Sequence, residues 1–190
     1  MRDSTDILKW VDSVSDAGGL YPKDDVQRAE VESLENLFDE KLGPATRRWA
    51  YSWALHDRPL MLELMAVKAP KVEAMALRAT SPLVIGFLKR GLRLGDAAIE
   101  KSMMRIAQIF EDMGKRLEGR KYLVGDSLTA ADLTFAALGS PVILPPEHPL
   151  AIVIGKAPDE MRRTIEAMRE LPAGRFITRL YREHRAEKLH

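Results

Sequence analysis

Apolar residues recur every three or four positions along most of the chain, which is the spacing of α-helices that bury one face. The clearest stripe runs from Ile99 to Leu117 and ends at Gly119. Comparable patterns predict helices over residues 5–14, 25–55, 129–138, 158–171 and 173–189. The one β-like stretch, residues 151–154, is too short to predict a sheet. We therefore expect an all-α fold, a helical bundle.

Prolines and glycines indicate where these helices end or bend. Gly43-Pro44 is expected to break or bend the helix that begins near residue 25, because proline lacks the backbone N–H of a regular helix. Further helices are expected between Pro59 and Arg90, with a kink at Pro82. Several prolines predict a loop over most of residues 140–158.

The composition is that of a globular domain. Hydrophobic residues make up 46% of the chain and charged residues 30%, and the net charge is +1. Residues 1–95 carry 14 basic and 14 acidic side chains and residues 96–190 carry 15 and 14, so no half has the basic excess of a nucleic-acid-binding protein. No uncharged run reaches the roughly 20 residues of a membrane-spanning helix. We expect a cytoplasmic protein whose partners include neither nucleic acid nor membrane.

The last predicted helix is rich in arginine along nearly one side. Arg175, Arg179, Arg182 and Arg185 share that side, with Glu183 and Glu187 interleaved. Such a pattern is typical of a solvated helix face. The alternative is a site for phosphate or for an acidic partner.

Several kinds of reactive site need residues that the sequence lacks. The chain contains no cysteine, which excludes disulfides, thiolate-bound metals and cysteine nucleophiles. One Glu-x-x-His motif occurs, at Glu187 and His190, whereas a di-metal bundle needs two, and there is no glycine-rich phosphate loop. We therefore predict no metal site.

One local motif is strong. Thr129 and Asp132 have the spacing of a capping box, in which the first residue of the pair caps a helix and the second returns a hydrogen bond to it. Leu128 and Leu133 flank them at the positions of a hydrophobic staple. The motif predicts a helix that begins after Thr129, and the role predicted for the pair is structural.

Residues 122–138, which read YLVGDSLTAADLTFAAL, resemble the segment that opens the central buried helix in the glutathione transferase family. Four further segments are similar to other parts of the same family, so the resemblance covers nearly the whole chain. These are residues 3–8 (DSTDIL), 20–22 (LYP), 37–51 and 173–185.

The resemblance implies three parts. Residues 1–14 correspond to the end of a thioredoxin-like domain, residues 15–24 to a linker, and residues 25–190 to the helical C-terminal domain of glutathione S-transferases. In the family, the pair that matches Asp3 and Ser4 binds glutathione, so these two residues are the candidates for that co-substrate. The group that activates the glutathione thiol belongs to the thioredoxin-like domain. No residue of this chain matches it, and no catalytic residue is assigned.

Two classes of function fit these observations. In the first, the chain is the helical part of a glutathione-dependent transferase, inactive alone, which contributes an electrophile pocket and a dimer surface. Trp49, Tyr51 and Trp53 are the candidate lining of that pocket. In the alternative, the same fold serves as a non-catalytic module that binds proteins, as in translation factors, or a small hydrophobic ligand. The expected partner is a second copy of the chain or a thioredoxin-like domain.

Overall fold

The computed structural model describes residues 4–14, 19–54 and 94–185, together with Gly86 and Gly91. These ranges form seven α-helices, a π-helical turn and a 3₁₀-helix, and they contain no strand. The α-helices are α1 Ser4–Val14, α2 Asp25–Leu37, α3 Gly43–Ala54, α4 Asp96–Arg116, α5 Ala130–Ile143, α6 Asp159–Glu170 and α7 Pro172–Arg185. The all-α prediction is confirmed, and the β-like stretch at 151–154 lies in the 3₁₀-helix Ala151–Lys156. The helices predicted between Pro59 and Arg90, with their kink at Pro82, lie outside the described residues.

Of the break or bend predicted at Gly43-Pro44, the break does not occur. The π-helical turn Phe38–Leu42 connects α2 to α3 without interruption, and the Gly43 backbone N–H donates to the Phe38 carbonyl five residues earlier. This wider turn carries the chain into α3 and accommodates Pro44, which has no backbone N–H to donate to the preceding turn. A Cβ on Gly43 would lie 3.2 Å from Leu138 Cδ2, so the glycine also lets α3 approach α5 closely.

Helix α5 is the centre of the bundle. It packs against α2, α3, α6 and α7, and it carries apolar residues on every side, as a helix enclosed by others must. The Phe135 ring lies 5.0 Å from Phe38, 5.5 Å from Phe110 and 6.3 Å from Phe176, measured between centroids. One α5 side chain therefore joins the aromatic residues of three other elements.

Helix α5 is longer than the sequence predicted. The prediction ended it at Leu138 and placed a loop from Ser140, but the helix continues through Pro141 to Ile143. Pro141 cannot donate to the Ala137 carbonyl, and the Ser140 hydroxyl does so instead, at 2.8 Å. Leu144 then ends the helix in the left-handed conformation, with φ 41°, and Arg169 of α6 donates to the Ile143 and Leu144 carbonyls. A side chain distant in sequence thus supplies hydrogen bonds to the last carbonyl groups of α5.

Helix α1 is attached to the bundle through its polar side. The Asp12 carboxylate accepts from the backbone N–H groups of Gly19 and Leu20, and Lys9 pairs with Glu32 of α2 at 3.0 Å. The opposite side is an exposed apolar stripe, which we call the α1 stripe. It consists of Ile7, Trp10, Val11 and Val14, which are 37–59% exposed. No described helix is both long and apolar enough to cross a bilayer.

Candidate functional site

The capping box fixes the start of the central helix. Thr129 and Asp132 are buried and form the predicted reciprocal arrangement. Asp132 Oδ2 accepts from the Thr129 backbone N–H at 2.8 Å and from the Thr129 hydroxyl at 2.7 Å, while Oδ1 accepts from the Leu123 backbone N–H at 2.8 Å. Burial raises the pKa of Asp132. The hydrogen bonds from Leu123 and Thr129 favour the ionised carboxylate and so lower the pKa, but their effect is smaller. The pair therefore holds α5 and the preceding loop in one place.

An apolar cavity lies between α3, the C-terminal half of α5 and the segment that follows α5. Its volume is about 320 Å³, at the lower end of the range for small-molecule sites. Its lining is almost entirely aliphatic, and the polar exceptions are Ser140 and His148. The aliphatic lining comprises Ala50, Ala54, Ala137, Pro141, Leu144, Leu150, Ile154, Ala157 and Met161.

His148 supplies the polar character of this cavity, because the Ser140 hydroxyl is engaged with the Ala137 carbonyl. His148 Nδ1 accepts a hydrogen bond from the Leu150 backbone N–H at 3.1 Å. Burial and the charge of Arg185 lower the pKa of His148. The neutral ring accepts at Nδ1, so its proton resides on Nε2, which is a donor.

The aromatic residues predicted to line a pocket do not line this cavity. Trp49 is a core residue, 2% exposed, and Tyr51 and Trp53 are half-buried. On α3, the cavity instead receives Ala50 and Ala54, which are one turn apart. The Trp53 indole Nε1–H is buried and has no hydrogen-bond partner within the described ranges. A substrate-binding role for the three aromatic residues stays a prediction.

The predicted glutathione residues lie at the N-terminal edge of the described chain. Asp3 is outside the described residues, and Ser4 begins α1. Their role in binding glutathione stays a prediction, as do the domain boundaries at residues 14 and 24. The described part of the chain has no cluster of three or more metal-ligating side chains.

Sequence reasoning missed most of the cavity because its lining comes from a segment read as loop. Leu144, His148 and Leu150 follow α5, and they are brought back to α3 only by the fold. The one local signal was the pair of small residues at positions 50 and 54, which share a face of α3.

Comparison with known proteins gives one match. Residues 64–140 match the family model described as "Glutathione S-transferase, C-terminal domain". The matched range includes all of α4 and most of α5, with the capping box and the cavity residues Ala137 and Ser140. No curated protein and no solved structure matches the chain.

Proposed function

We propose that the chain, of which residues 64–140 match a glutathione S-transferase C-terminal domain, is the helical part of a glutathione-dependent transferase and holds the electrophilic substrate. The cavity between α3 and α5 is the observation that carries this proposal. A cavity lined by aliphatic side chains favours an apolar molecule, since binding removes apolar surface from water on both sides.

The conjugation of glutathione requires a thiolate and an electrophile held beside it. Positioning the two reactants supplies much of the rate, and a hydrogen-bond donor stabilises the sulfur anion. In the proposed division of labour, this chain binds and orients the electrophile and excludes water from it. The thioredoxin-like domain characteristic of the family supplies the thiolate. Residues 1–190 alone are then inactive.

The α1 stripe supports a partner of this kind. Ile7, Trp10, Val11 and Val14 lie at i, i+3, i+4 and i+7 of one helix face and are exposed together. Contiguous apolar surface is typical of an interface on a soluble protein. We assign the α1 stripe to contact with a thioredoxin-like domain.

A second surface suits a homodimer. An open groove between α2 and α4 has an apolar floor that includes Leu37, Ile109 and Met104, and Met104 is 60% exposed. Lys41, Lys101, Arg105 and Asp112 border the groove. A two-fold axis brings the groove against the same groove of a second copy, where Asp112 of each copy can pair with a basic side chain of the other.

The function is tested by separating binding from turnover. Purified protein should bind 1-chloro-2,4-dinitrobenzene in equilibrium dialysis, yet show no saturable conjugation of glutathione to it. Ala54→Phe fills the cavity and should abolish binding. The control Ala107→Phe adds the same side chain at an exposed position of α4 and should leave binding unchanged. Saturable turnover by the chain alone would contradict the division of labour, and binding unaffected by Ala54→Phe would contradict the assigned cavity.

The dimer surface has its own test. Sedimentation at several concentrations should show self-association that Met104→Glu weakens. Val26→Glu is the matched control, because Val26 is 77% exposed on α2 and does not line the groove. A wild-type monomer at all concentrations would rule out the homodimer.

The α1 stripe also favours the alternative function, a non-catalytic interaction module. Such a module would bind its partner through Trp10 and its neighbours and would not need the cavity. In that case Trp10→Gln would abolish partner binding while Ala54→Phe would have no effect in any assay. The transferase proposal predicts that Ala54→Phe removes electrophile binding.

A further inference from the structure

A second concave surface adjoins the cavity on the outer side of α5 and α7. This groove has a volume of about 290 Å³, and Leu133, Leu180, Tyr181, His184 and Arg185 are among its lining residues. Ala137 lines both the groove and the cavity. The rings of Tyr181 in the groove and His148 in the cavity lie 5.9 Å apart, so this ring pair lies between the two neighbouring spaces.

The cation beside this ring pair is Arg185. Among the described residues, the linings of the cavity and the groove include His148, His184 and Arg185 and no aspartate or glutamate. The Arg185 guanidinium lies 5.3 Å from the centre of the Tyr181 ring, and its charge reaches His148, whose pKa it helps to lower. Glu183, two residues before Arg185, pairs instead with Arg179 at 3.1 Å.

We propose that the cavity and the adjoining groove together bind an apolar carboxylate, with the hydrocarbon part in the cavity and the carboxylate at Arg185 and His148. The proposal rests on the proposed function for the place of the ligand and adds its chemical class. It makes Arg185 a specificity-determining residue.

The two parts of such a ligand match the two parts of the site. An aliphatic cavity rejects a charge, since a buried ion needs a partner. The carboxylate therefore stays outside the cavity beside the exposed Arg185, where it accepts hydrogen bonds from an arginine fork and from the Nε2–H of neutral His148. A neutral ligand of the same shape gains the apolar contacts without the charged hydrogen bonds.

The test compares 2-naphthoate with 2-naphthamide, which have nearly the same shape and differ in charge. Fluorescence titrations of the full chain at neutral pH should show the carboxylate binding about tenfold more tightly, as expected for hydrogen bonds to a charged group. Arg185→Gln should remove that difference and leave the affinity for the amide unchanged. Arg182→Gln is the matched control, an exposed arginine of α7 outside both linings. Ala54→Phe should abolish the binding of both ligands.

Each outcome separates this inference from the proposed function. Equal affinities in the wild type, or equal effects of Arg182→Gln and Arg185→Gln, would overturn the carboxylate site while the cavity assignment stands. Failure of both ligands to bind would overturn the carboxylate site, and the dinitrobenzene experiment would then decide independently whether the cavity binds apolar electrophiles.

Discussion

The Asp132 carboxylate accepts a hydrogen bond from the backbone N–H of Leu123, nine residues earlier in the chain, at 2.8 Å. This contact goes beyond the capping box, because it reaches outside the turn that Thr129 begins. Leu123 is fully buried, so its N–H has no access to water. Asp132 therefore stabilises two segments, the loop before α5 and the first turn of α5 itself.

Replacing Asp132 should cost more than replacing Thr129. Thr129→Ala removes a cap, worth about 0.5–2 kcal/mol. Asp132→Ala also leaves the buried Leu123 N–H without a partner, which adds about 1–3 kcal/mol. Denaturant unfolding of both variants measures the difference. The double variant should lose less stability than the two single variants lose together, because the two residues form one reciprocal unit. Equal losses for the two single variants, or zero coupling, would contradict this.

The buried pair of Tyr21 and Glu35 should make stability depend on pH. The Tyr21 hydroxyl donates to Glu35 Oε1 at 3.0 Å, and burial raises the pKa of Glu35 from its ordinary value of 4.5. The folded state then binds the proton more tightly than the unfolded state. The contribution of Glu35 to stability is therefore greatest below pH 4.5 and is lost as the pH rises through the raised pKa.

Glu35→Gln should reduce the loss of stability with rising pH. The free energy of unfolding, measured in denaturant from pH 4.5 to about 7, should change less in this variant than in the wild type, since the amide does not ionise. Glu100→Gln is the control, because Glu100 is exposed on α4, and it should keep the wild-type slope. An unchanged slope in Glu35→Gln would mean that another group causes the pH dependence.

Gly174 should tolerate no side chain. A Cβ there would overlap the Met168 carbonyl oxygen and lie 2.9 Å from the Met168 carbonyl carbon, both of which belong to the backbone of α6. Gly174→Ala should cost about 3 kcal/mol or more, the upper range for overpacking. In Gly114→Ala the new methyl group meets Pro172 Cβ at 3.5 Å, an ordinary contact. Thermal melts in which both variants lose the same stability would refute the close approach of α6 and α7.

Arg169 should stabilise the end of α5. Its guanidinium donates from Nε to the Ile143 carbonyl at 2.7 Å and also to the Leu144 carbonyl. Arg169→Met leaves both carbonyls without this donor and should cost about 1–3 kcal/mol. Arg163→Met, at an exposed position of α6, should cost less than about 0.5 kcal/mol. Because Leu144 lines the cavity, Arg169→Met should also weaken the binding of 1-chloro-2,4-dinitrobenzene or 2-naphthamide.

Local patterns in the sequence predicted most of the helices and the start of α5. Helix α4 has a regular apolar stripe, and the Thr129–Asp132 pair specifies a helix start within four residues. Such features depend on neighbours in the chain, so periodicity and capping chemistry suffice to identify them. The structural role predicted for the pair was correct, but the hydrogen bond from Leu123 to Asp132 was not predicted.

The sequence by itself thus determined that the chain folds as a helical bundle and that one of its helices begins after Thr129. Only the tertiary structure decided that α5 passes through Pro141, that α2 and α3 join without a break, and that Ala54 and His148 line one cavity. Proline is unfavourable in an isolated helix even with the neighbouring Ser140 hydroxyl as a substitute donor, and in the fold Arg169 of α6 caps the helix end. Cavity residues separated by about a hundred positions share no local pattern. Their proximity arises from helix packing, which depends on the whole core at once.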